Sequence, residues 1–190
     1  MKQKSIQFTI IISSLVLATL ACGIFVGGPD YPAQAIPVSP DEVTNMQTQI
    51  EQAFLAGAET GVVTIQITES QLTSYLALKT QGQQNPPFTD PQILLRNGQM
   101  QMYAKFKSGV FTGNMLITMN VGIDAATGMP SITIASADFG PIDAPEGINK
   151  AISKIIEEAF TGSFGPVATG IRLESISIAD GVMTLVGRIK

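Results

Sequence analysis

The sequence predicts an α+β fold: a curved antiparallel β-sheet of about seven strands, a meander plus a C-terminal hairpin, wrapping one long helix, with shorter helices nearer the N-terminus. Three observations predict it. Residues 62–68, VVTIQIT, alternate apolar and polar as a half-buried strand does. Asn97-Gly98 and Asp180-Gly181 each divide two alternating runs, and such pairs supply the positive φ that a two-residue hairpin turn needs. Residues 41–58 and 146–160 instead carry apolar side chains at three- and four-residue steps, the period of a helix with one buried stripe.

The chain opens with Lys2 and Lys4 and then runs without a charge through Ala21. A positive start, an apolar middle and a small-residue end read as a signal peptide over residues 1–21. The stretch LATLAC, with Thr19, Leu20 and Ala21 before the single cysteine, resembles the lipobox of bacterial lipoproteins. That resemblance implies cleavage before Cys22 and lipidation of its sulfur. The competing reading is an uncleaved transmembrane anchor over residues 5–27, because GIFVGG extends the apolar run to a length that spans about 30 Å of hydrocarbon. Both readings put the body on the extracytoplasmic face of a cell membrane, in contact with membrane lipid through Cys22 or the N-terminal apolar segment. Pro29, Pro32, Pro37 and Pro40 then make residues 22–40 a Pro-rich tether or leader, extended rather than helical. Residues 41–190 form a single α+β domain.

Within that domain, Val43, Met46, Ile50 and Phe54 give the first helix its stripe, and VVTIQIT follows as a strand. Thr68 and Gln71 form a capping box for a short helix through Leu78, with Leu72, Tyr75 and Leu76 inward. A two-residue turn at Asn97-Gly98 pairs Leu95 with Met100 and Ile93 with Met102. A second turn at Ser108-Gly109 pairs Phe106 with Phe111, Ala104 with Gly113, Met102 with Met115 and Met100 with Ile117. Ile132 and Ile134 point inward from the next strand, after a loop over residues 124–130. Ile148, Ile152, Ile155 and Ala159 form the stripe of helix 146–160. The last hairpin pairs Ile178 with Met183 and Ile176 with Leu185, and a phase change predicts a bulge near Glu174.

Composition excludes several classes of function. Lys2 and Lys4 are the only charges before residue 22, so removing them takes the net charge from −4 to −6. A body this acidic does not suit nucleic acid, whose phosphates are met by Lys and Arg. There is no histidine, which excludes a Ser-His-Asp triad, and one cysteine makes neither an internal disulfide nor a cysteine zinc site. No cofactor or metal is predicted. Tyr75 and Lys79 have a Y-x-x-x-K spacing but lack the Gly-rich dinucleotide unit that would give it meaning, so Tyr75 reads as core. Ser153 and Lys154 are adjacent, and neighbours on a helix point apart. Asp138, Asp143 and Glu146 read as capping residues rather than calcium ligands. The chain reads as non-enzymatic.

What remains is a methionine-rich sheet face. Met100, Met102, Met115 and Met119 with Phe106, Phe111 and Ile117, opposed by Ile152 and Ile155, form either an ordinary core or a groove for an acyl chain or another apolar ligand. The Ala104–Gly113 pair would leave the gap. Thr68, Glu69, Leu72 and Tyr75, followed by Gly140, Ile142 and Pro145 before a helix, carry a further resemblance over roughly residues 45–190. This part is similar to small extracytoplasmic tubular lipid-binding proteins of the LmeA-like and YpmS-like kind. The resemblance implies non-catalytic binding of lipid between the sheet and helix 146–160. The alternative is an envelope structural or protein-interaction module with a packed core, meeting partners through its acidic outside or a strand edge.

Overall fold

The computed structural model describes residues 23–124, 130–144, 147–148, 150, 152–155 and 171–189. Cys22, the loop at 125–129, Pro145, Glu146, Ala159 and the second half of helix 146–160 lie outside the described residues.

The fold is mixed α+β, its antiparallel-rich sheet curled like half a barrel. In chain order the strands are β1 (Ile24–Phe25), β2 (Val62–Thr68), β3 (Phe88–Arg96), β4 (Gln99–Ser108), β5 (Phe111–Ile123), β6 (Pro130–Asp138), β7 (Ile171–Ala179) and β8 (Val182–Ile189). Helix α1 (Pro40–Thr60) precedes β2, and α2 (Glu69–Gln81) follows it directly. Ile148 and residues 152–155 are helical as well. Three expectations are corrected here. Among the described residues eight strands replace about seven, because Ile24 and Phe25 pair in parallel with Phe111 and Thr112. The strands also divide between a five-stranded sheet, β1 and β6 on β5 and then β4 and β3, and a three-stranded sheet, β2-β8-β7. The longest helix among the described residues is α1, with 21 residues, and it lies at the N-terminal side where shorter helices were expected.

Local chemistry accounts for the elements. Ser39 caps α1 by accepting the Asp41 N–H at 3.2 Å, Pro40 takes the first helical position, and Met46 and Ile50 are buried on the stripe. The Thr68 capping box forms as expected, with the two reciprocal bonds at 3.2 and 3.0 Å. The rest of α2 differs in part, since only Leu76 of the three expected inward residues is buried. Gln71, Thr73, Ser74 and Thr80 are buried, while Leu72 and Tyr75 are only half-buried. Polar groups can be buried there because they have partners. The Thr73 hydroxyl accepts the Ile93 N–H at 2.9 Å, and the Glu69 carboxylate accepts the Leu95 N–H at 2.6 Å. Helix α2 thereby satisfies the open edge of β3, which would otherwise present bare N–H groups. Leu95 in turn accepts the Gly181 N–H at 3.3 Å, joining the two sheets.

The first and last hairpins have the expected registers: Leu95 faces Met100, Ile93 faces Met102, Ile178 faces Met183 and Ile176 faces Leu185. The bulge falls between Leu173 and Ser175, as predicted. The middle turn is corrected to Gly109-Val110. Ser108 pairs with Phe111, Phe106 with Gly113, Ala104 with Met115, Met102 with Ile117 and Met100 with Met119. This is a two-residue slip, so the inward face is preserved. Gly109 has φ 61° and Val110 does not share the positive region, which is the demand of a type II′ turn. Ile134 is a further correction. It pairs with buried Met119, but β6 has a neighbour on one side only, and Ile134 is 44% exposed there.

Candidate functional site

The methionine-rich face is the first place to look. Met102, Phe106, Met115, Ile117, Met119 and Ile152 are all at most 4% exposed and belong to one apolar cluster with Leu95, Phe88 and Ile148. Met100 and Ile155 are half-buried against it. Phe111 does not join them. It begins β5 in the last pair of the hairpin, opposite Ser108, and is 43% exposed. The corrected register also explains what fills the expected gap. Gly113 lies opposite Phe106 rather than Ala104, and a Cβ on Gly113 would come within 2.8 Å of the Phe106 ring. Phe139 then packs edge-on against Phe106, with ring centroids 5.8 Å apart at 72°. Side chains this enclosed leave next to no room for water along their surfaces.

A second feature was not legible in the sequence. Residues 23–39, expected as a tether, run as a strap across the body. Val26 donates to Thr112 O at 2.8 Å, Asn114 donates to Gly27 O at 2.9 Å, and the Asn114 side chain donates to Pro29 O at 3.1 Å. Farther along, the Gln92 amide grips the Ile36 backbone at both ends, accepting its N–H at 2.7 Å and donating to its carbonyl at 3.2 Å. Ser39 N–H donates to the buried Ser74 hydroxyl at 3.1 Å. No local pattern announces these bonds, because each partner is 35 to 87 residues away.

Between strap, α2 and β3 opens a cleft of about 460 Å³ whose lining includes Tyr31, Val38, Ala77, Asp90, Gln92 and Lys105. Asp90 sits in the β3 bulge with φ 50°, a region that only a few non-glycine residues occupy. Its carboxylate pairs with Lys105 at 2.8 Å, its carbonyl accepts the Tyr31 hydroxyl at 3.1 Å, and the Lys105 ammonium lies 5.9 Å from the Tyr31 ring centroid. Burial, and then the Asp90 charge, push the Tyr31 phenol above its ordinary pKa of 10.0. A phenol held protonated is a hydrogen-bond donor, not a base. This cluster therefore clamps the strap to the bulge and has no evident chemistry of its own.

With a folded pKa above the unfolded one, the protonated phenol contributes stability below pH ~10 that is lost as pH rises toward the folded value. The denaturation midpoint of the wild type is expected to fall as pH passes about 10, and Tyr31→Phe to flatten part of that fall. At neutral pH the same variant loses about 0.5–1.5 kcal/mol for the missing hydrogen bond. Urea titrations of both proteins across that pH range check it.

The remaining candidates are dispersed. Ser153 and Lys154 are both exposed on the helical segment. Lys79 lies 5.6 Å from the ring centroid of Tyr75, one helical turn away. Asp138 accepts the Gly140 N–H at 2.8 Å, a turn contact. Among the described residues no three of His, Cys, Asp and Glu converge, and no helix is long and apolar enough to cross a membrane. A scan against protein-family models and a search of curated proteins return no match to this chain.

Proposed function

We propose that this chain is a membrane-tethered, extracytoplasmic module that acts by binding a protein partner in the cell envelope and catalyses nothing. The observation that carries the reading is the packing of the sheet face: the Phe106 ring occupies the space over Gly113, where the sequence predicts a gap. The absence of histidine from the chain supports the non-catalytic part. Strand β6 offers a place for a partner. It borders β5, and Thr133 to Asp138 are exposed throughout, a form suited to strand addition.

A second reading has its own support. Met100, Val121, Ile123, Ile132 and Ile155 are half-buried against the core, and an apolar ligand between the sheet and helix 146–160 would complete their burial. The resemblance to tubular lipid-binding proteins points the same way. Native mass spectrometry of the detergent-purified full chain separates the two. The expected result is the chain with a covalent diacylglyceryl group at Cys22 and no retained lipid; a stoichiometric, non-covalent lipid would favour the second reading. Cys22→Ser is expected to abolish lipid labelling and to leave the precursor unprocessed. Unchanged labelling and gel mobility would instead assign the uncleaved anchor.

A further inference from the structure

We propose that the tip formed by β1 and the β4–β5 turn is a membrane-seating surface, inserted among lipid headgroups beside the anchor; the inference rests on the anchored reading above. Four large apolar side chains crowd this tip: Ile24, 56% exposed, Phe25, 62%, Val110, 57%, and Phe111, 43%. They are neighbours in space because Ile24 pairs with Phe111, and its N–H donates to Val110 O at 2.7 Å. Scattered exposed apolar residues need no explanation, but a contiguous group does.

The occupant is argued from where the chain goes. The charge-free run from Ser5 continues through Pro29 and includes Ile24 and Phe25, so the segment that enters the bilayer leaves the body at the same place. The strap allows no slack, since Val26 to Ser39 are hydrogen-bonded to the body along their course. Shape agrees. Ile24 and Phe111 belong to one face of the sheet and Phe25 to the other, so the patch caps an end and suits insertion into a fluid layer better than packing against a flat protein face. Charge agrees too. Residues 22–29 and 106–116 contain Lys107 and no acid, in a chain of net charge −4, and Lys105 farther along β4 is neutralised by Asp90. Apolar side chains beside a lysine and away from acids suit a surface that lies about 5–10 Å into the boundary of an anionic bilayer. The Asn97-Gly98 turn is then held at the other end of β4, whose ten residues span roughly 30 Å.

The chain has no tryptophan, so a single one reports position. The full chain is reconstituted into phosphatidylcholine–phosphatidylglycerol vesicles, with Val110→Trp at the tip or Ala179→Trp beside the distant Asp180-Gly181 turn. Lipids brominated near the headgroup are expected to quench Val110→Trp by roughly half or more and to leave Ala179→Trp unchanged. Adding Phe111→Asp to Val110→Trp should relieve the quenching while the far-ultraviolet circular dichroism stays the same. Chain that floats with the vesicles while Val110→Trp is quenched no more than Ala179→Trp would overturn the seating surface and leave the anchor standing. Chain that does not float would overturn both.

Discussion

Met102→Asp is expected to lose about 3–5 kcal/mol of folding stability, enough to unfold a domain whose total is typically about 5–15 kcal/mol. Met102 is 4% exposed and lies between Ile93 on β3 and Ile117 on β5, so each lateral neighbour is apolar. A carboxylate there either stays charged without solvent or takes up a proton, and both options are unfavourable. Met102→Leu, similar in volume, should lose less than about 1.5 kcal/mol. The pair of urea midpoints makes the test specific. A wild-type midpoint for the aspartate variant would mean that the side chain has room or water, and that the filled core on which the non-carrier reading depends is not filled.

How much of this was legible in the sequence depends on how local each cause is. Asn97, Gly98, Asp180 and Gly181 all have positive φ, from 51° to 79°, a backbone demand that the residue types themselves declare. The middle turn declares only half of that. Gly109 supplies one positive φ, and sliding the pairing by two residues keeps every side chain on its face, so alternation alone cannot choose between registers. That slip had a chemical consequence: it moved Gly113 from Ala104 to Phe106 and turned an expected gap into a packed ring. Helix α2 was misread for a different reason. Leu76 is buried as expected, but Gln71, Thr73, Ser74 and Thr80 share that face with it and Ala77, made tolerable by bonds to β3, the strap and the helix itself. Hydrophobic periodicity carries no signal for such a face. The strap is the extreme case. Its prolines declare an extended chain, but Gln92 and Asn114, the residues that receive it, sit in strands that read only as strands.

Gly28→Val is expected to detach that strap while the rest of the body stays folded. Gly28 has φ +117°, and a Cβ there would overlap the Asn114 carbonyl oxygen; on the other side, a Cβ on Gly140 would lie 2.6 Å from the Gly28 Cα. The strap is thus wedged where two glycines meet, and valine fits neither the dihedral nor the space. Relief requires residues 26–29 to lift, which breaks the bonds from Val26 to Thr112 and from Asn114 to Gly27 and Pro29. The apolar cluster around Met115 and Ile117 receives nothing from those bonds, so its cooperative unfolding should shift little. Local opening should change far more. Chymotrypsin acting at Phe25 or Tyr31 is expected to cut the variant at least about tenfold faster than the wild type, which corresponds to ~1.4 kcal/mol of easier opening. On the proposed anchorage, that cut separates body from membrane, so the fragment should appear in the supernatant after sedimentation of treated membranes while wild-type chain stays in the pellet. Equal release from both would mean that the strap bonds do not hold the anchor rigidly to the body. The orientation argued for the tip would then lose its mechanical basis, because a body on a slack tether has no reason to keep one end against the lipid.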